Sequence, residues 1–161
     1  PGMRHDGPAP APAQSGQAAF AAITGIVRAL EADSATDWSR VDLEAVRQHL
    51  IDMDLVTLRS RVRQQPLPGG LSMEITGEAE VAGAIRRMVG MHATVLPGAG
   101  PWRATASEIP DGVRLVVTAA ESGDAATVSR IRGLGFIGMM TEGEHHGEHH
   151  MMLARGMGMA H

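Results

Sequence analysis

Apolar residues change their spacing several times along the chain, and each change marks an element. From Gln17 to Ala32, Phe20, Ile23, Val27 and Leu30 recur every three or four residues, the stripe of an amphipathic helix. A second helix carries Leu43, Val46, Leu50 and Met53, with Ser39 or Asp37 as candidate N-cap and an end near Asp54. Period two then takes over. Val56, Leu58 and Val62 alternate, the run from Pro66 to Gly70 turns the chain, and Leu71, Met73 and Ile75 alternate again, which predicts a β-hairpin. Between Glu78 and Val95 the helical period returns in Val81, Ile85, Met88, His92 and Val95, and Pro97-Gly98 stops it.

The order then repeats. Trp102–Ile109, the turn Pro110-Asp111-Gly112 and the strand from Val113 predict a second hairpin, followed by a short helix over 124–132. The glycines of Arg132-Gly133-Leu134-Gly135-Phe136 read as the end of that helix, and a last helix is expected over 137–154. Two hairpins alternating with helices, without a βαβ crossover, predict the α+β class. The expected fold is a four-stranded antiparallel sheet (ββα, repeated) packed on one face by helices, with a helix pair before it and a His/Met-rich helical segment over 137–161. Residues 1–16, rich in Pro, Ala and Gly, are expected to be a flexible lead-in to a single domain over 17–161.

Composition narrows the chemistry. The chain has 161 residues and a net charge of −4, and its basic residues are all arginine, scattered rather than striped, so nucleic acid is not an expected partner. No apolar run approaches the roughly 20 residues of a membrane-spanning helix. Cysteine is absent while there are 8 histidines and 11 methionines, which excludes disulfides and thiolate sites and leaves imidazole and thioether as the metal-binding groups. Both tolerate an oxidising compartment, so a periplasmic or otherwise exported protein is expected; a start at Pro1 without a leader fits a mature exported chain.

Two constellations carry that chemistry. Glu144-His145-His146-Gly147-Glu148-His149-His150-Met151-Met152 packs four imidazoles into six residues, and on a helix His145 with His149, or His146 with His150, chelates one ion at i and i+4. The plain alternative is a solvated polar run that takes up nickel or zinc by accident. The second set spans two helices, with His49 and Met53 at i, i+4 and Met88 and His92 in reversed order. If the two helix ends meet, two imidazoles and two thioethers converge in a buried pocket, a donor set that suits copper, above all Cu(I). Asp52 and Asp54 are candidate acceptors for the ring N–H groups. Against this, methionine is a common core filler, and a histidine on an apolar face is more often hydrogen-bonded to a carbonyl than bound to metal. Met139, Met140, Met151, Met152, Met157 and Met159 are further thioethers able to capture Cu(I).

The HHxxHH run and the Met-rich segments resemble small bacterial periplasmic proteins of copper handling. That resemblance covers about the last 25 residues and the two helix pairs, and it implies a copper chaperone, buffer or resistance protein with a copper-transport or resistance protein as partner. Two other classes fit the residues: a metalloenzyme with an open coordination position at the histidine cluster and Glu144 or Glu148 as base, or an α+β interaction module that binds no metal. No HExxH, haem-attachment, phosphate-loop or GxSxG pattern is present.

Overall fold

A computed structural model describes residues 15–143 and 146–157, with the side chains of Ser15, His146 and Gly147 left aside. The elements run α1 (Ser15–Ala32), α2 (Leu43–Arg59), β1 (Arg61–Leu67), β2 (Gly70–Thr76), α3 (Ala79–Val95), β3 (Trp102–Ile109), β4 (Gly112–Ala119), α4 (Ala125–Thr141) and α5 (His146–Ala154). The lead-in up to Gln14, together with Glu144 and His145, lies outside the described residues.

The α+β expectation holds. The two hairpins join through β2 and β4 into one antiparallel sheet of order β1-β2-β4-β3, with Leu71, Met73 and Ile75 opposite Val117, Leu115 and Val113. Those six side chains share one face, and α3 and α4 cover it with Val81, Ile85, Val89, Ile131, Phe136 and Met139, giving the main core. The opposite face is solvated and carries the Arg114–Glu74 ion pair at 2.7 Å, which holds the Glu74 carboxyl below its usual range. A sheet with one wet face requires the alternation that the sequence displays.

A second, smaller core joins the remaining helices. Ile26 and Leu30 of α1, Val46 of α2 and Ala154 of α5 are buried together, flanked by Ile23, Leu50, Met151 and Leu153. The stripe expected on α1 is rotated, because only its C-terminal half is covered: Ile26 and Leu30 point inward, while Phe20 is 75% exposed.

The second helix is capped by Asp42, whose carboxylate accepts from Ala45 N at 3.0 Å, and not by Ser39 or Asp37. Asp37 closes a local turn instead, accepting from the Ser39 amide and hydroxyl, which hold its carboxyl below the usual value. The helix also runs past Asp54 to Arg59, so Val56 and Leu58 belong to α2 and β1 begins only at Arg61. Leu55-Val56-Thr57-Leu58 mimics a strand by its β-branched residues, yet Val56 lies on the helical face that enters the main core, and tertiary burial overrides propensity.

The helix expected over 124–132 continues to Thr141 through a kink. Gly135 has φ 60 and ψ −166, a region essentially reserved for glycine, and the break exposes the Phe136 amide. Gln64, on the core-facing side of β1, supplies its Oε1 to that N–H at 2.7 Å and so caps the second half of α4 from 72 residues away. Asp124 caps the first half through Thr127, whose hydroxyl and amide hold the carboxyl below its ordinary value. A depressed pKa means that this cap stabilises the fold at neutral pH and loses that contribution as pH falls through the folded-state value. Replacing Gln64 with leucine leaves the Phe136 amide without its acceptor; the expected cost is about 1–3 kcal/mol by denaturant unfolding, with an unchanged m-value.

The single helix expected over 137–154 is two helices. Gly143, at φ 70, breaks the chain after α4, and α5 starts afresh at His146.

Candidate metal centre

Three contacts at its C-terminal end set where α5 lies. The Ala154 carbonyl accepts from Asp42 N at 2.7 Å, Gly156 packs against the Arg40 carbonyl with no room for a side chain, and Arg155 pairs with Asp33 at 3.3 Å. With Ala154 beside the first turn of α2, the preceding turn of α5 must lie beside the second turn of α2, so the two helices run antiparallel. His49, seven residues beyond Asp42, meets His149 and His150, which stand five and four residues before Ala154.

The rings come close. The His49 centroid lies 4.8 Å from that of His149 and 5.1 Å from that of His150, both edge-on, at 71° and 70°. His150 is buried, His49 and His149 are partly buried, and the Nε2 atoms of His49 and His150 are shielded from solvent. Imidazoles that share one tetrahedral ion through nitrogens at about 2.0–2.1 Å have their ring centres about 5 Å apart, so the spacing matches a common ion. Among the described residues no group of three or more His, Asp or Glu side chains already stands as a site able to hold a metal ion. The trio is a cluster of ring contacts centred on His49.

Met53 follows His49 by one helical turn and is half-buried. Met151 packs into the second core, and Glu148 is exposed on α5. His146 begins α5, and His145 falls outside the described residues. Met88 packs at the margin of the main core. His92 is buried with its Nε2 2.8 Å from the Met139 carbonyl oxygen, a hydrogen bond that ties the end of α3 to α4.

Asp52, expected to receive a ring N–H, is taken by Arg87. Its two oxygens accept from Arg87 Nε and Nη2, each at 2.9 Å, and the carboxylate in turn holds the guanidinium pKa above its usual value. That fork fastens α2 to α3 one turn beyond His49. Asp54 is exposed. Neither Arg87 nor Gln64 is marked by any local pattern, since each acts through a partner distant in sequence.

His92 allows a clean separation of packing from metal binding. His92→Leu removes one of the two donors to the Met139 carbonyl, the other being the Glu142 N–H, and is expected to cost about 1 kcal/mol, while His92→Gln restores an N–H donor and recovers most of it. Metal retention measured after desalting is expected to be unchanged in the glutamine variant.

No family model, curated protein or solved structure matches this chain. Among the described residues no helix is long and apolar enough to cross a membrane.

Proposed function

We propose that this chain is a copper-binding protein of the chaperone, buffer or resistance type, working in the periplasm, and that His49, His149 and His150 are its principal ligands. One observation carries the reading: imidazoles from α2 and α5, a hundred residues apart in sequence, are gathered at 4.8 and 5.1 Å with two of their Nε2 atoms shielded from water. A surface run that takes up metal by accident has no reason to recruit a histidine from another helix.

The flanking thioethers favour copper. Met53 stands one turn from His49 and Met151 follows His150 directly, so soft sulfur is at hand as a fourth donor. Zinc and nickel would use the imidazoles without gaining from the sulfur. The absence of cysteine supports an oxidising compartment, where imidazole and thioether persist and a free thiol would not.

Metal would also fasten α5 onto α2. Ions that bind only the folded state stabilise it by about 2.7 kcal/mol at a hundredfold excess over Kd, or roughly 5–10 °C in Tm for a chain of this size.

The test is direct. The full chain is equilibrated with Cu(II), and separately with Cu(I) under reductant, then desalted and its metal counted. One retained equivalent with a raised Tm is expected. Retention equal to that of a histidine-free protein of similar size would eliminate the proposal.

A further inference from the structure

The end of α5 holds a second arrangement of soft donors. The N–H of Gly156 bonds to the Leu153 carbonyl at 3.1 Å and the N–H of Met157 to the Met152 carbonyl at 3.0 Å, with Gly156 at φ 70. This pair of bonds is a Schellman motif, which brings the residue after the left-handed glycine back to the residue five positions earlier and is frequently accompanied by a contact between their side chains. Here both residues are methionines, and they stay 47% and 44% exposed. Met152 in turn follows His149 by three residues, the neighbouring position on the same helical face. Thioether, thioether, half-buried imidazole and buried imidazole therefore succeed one another from the surface towards His49 and His150.

An exposed methionine alone needs no explanation. A backbone motif that hydrogen-bonds two of them together, one turn from a histidine in ring contact with His49, makes three soft or intermediate donors a candidate set for one ion. Thioethers bind Cu(I) and discriminate against zinc and Cu(II), whereas imidazole accepts all three.

We infer that Met152, Met157 and His149 form a surface capture site for Cu(I), from which the ion passes to the inner histidines; this rests on the copper reading given above. The passage is ligand exchange. Each copper–sulfur bond that breaks is replaced by a copper–nitrogen bond, copper stays monovalent, and a proton leaves for solvent only where an incoming ring was protonated. His149 belongs to both sets, so the ion need never be released.

The test separates rate from affinity, with Met152→Leu/Met157→Leu in the full chain and Met91→Leu as a control for loss of an exposed methionine. Leucine keeps volume and removes sulfur. Loading of Cu(I) from a weak chelate is followed by stopped flow, and equilibrium affinity by chelate competition. Slowing of loading by about tenfold with affinity changed less than about threefold is expected, since the two quantities report different steps. Ag(I), a redox-inert ion of the same charge and softness, is expected to shift the labelled methyl signals of Met152 and Met157 before any other methionine. Wild-type loading in the double variant with tight copper binding intact would overturn the capture site and leave the histidine centre standing. Should the wild-type chain retain no copper, the functional reading falls, and the Ag(I) titration then decides alone: shifts at these two methyls keep the capture site, and their absence removes it.

Discussion

Replacing His49 with alanine is expected to weaken copper retention by about a hundredfold, on the order of 3 kcal/mol, while the chain stays folded. His49 is the one member of the trio that α5 does not supply, so its loss leaves His149 and His150 adjacent in sequence but without the ring that faces both. Side chains at i and i+1 point about 100° apart on a helix and make a poor chelate by themselves. The folding cost is expected to be smaller, about 1 kcal/mol, because His49 is only partly buried and the second core rests on Val46, Ile26, Leu30 and Ala154. The copper-induced rise in Tm should therefore vanish in the variant, whose metal-free Tm moves little. A pH series adds a second check: protonated imidazole cannot ligate, so retention in the wild-type chain should fail as pH drops below about 6. Retention of wild-type strength in His49→Ala would place the copper elsewhere.

The sheet was legible because its information is local. Period-two alternation names β2 and β4, Pro68-Gly69 and Pro110-Asp111 name the turns, and the wet face requires polar residues between apolar ones. What escaped was decided at a distance. The true end of α2 depends on Val56 reaching the main core, and the continuity of α4 through Gly135 depends on Gln64, 72 residues upstream. Neither partner advertises itself in a window of sequence.

The candidate centre divides in the same way. Histidine and methionine at helical spacing marked the candidate ligands, and His49 was among them. Its place opposite the tail histidines was not legible, because it follows from the direction of α5, which is set by Ala154 against Asp42 and by Gly156 against Arg40. The stripe position of His92 was read correctly as buried. Burial alone does not distinguish a ligand from a hydrogen-bonded core residue, and the carbonyl of Met139 supplies the latter role.

Trp102→Ala is expected to be the most destabilising simple truncation in the chain, at about 3–5 kcal/mol. The indole is fully buried at the start of β3, its Nε1–H donates to the Leu96 carbonyl at 2.8 Å, and the Arg130 guanidinium lies 5.1 Å from its ring centre. Removing it empties the edge of the main core and takes from the Leu96 carbonyl, at the C-cap of α3, one of its two donors, leaving the Ala99 N–H at 2.9 Å. At about 2–4 °C per kcal/mol for a chain of this length, Tm should fall by roughly 6–20 °C. Trp102→Phe keeps most of the ring volume and loses the donor, so about 1–2 kcal/mol is expected from it. These variants also bear on the proposed copper site. Trp102 belongs to the main core, whereas His49, His149 and His150 stand on the helices of the second, and substitutions without shared partners act nearly independently. Copper should then raise the Tm of Trp102→Phe by as much as it raises that of the wild-type chain. A smaller rise would mean that the two cores are coupled, with the route running from the Leu96 turn through Ala99 to Gly143, where a side chain on the glycine would come within 2.7 Å of Ala99.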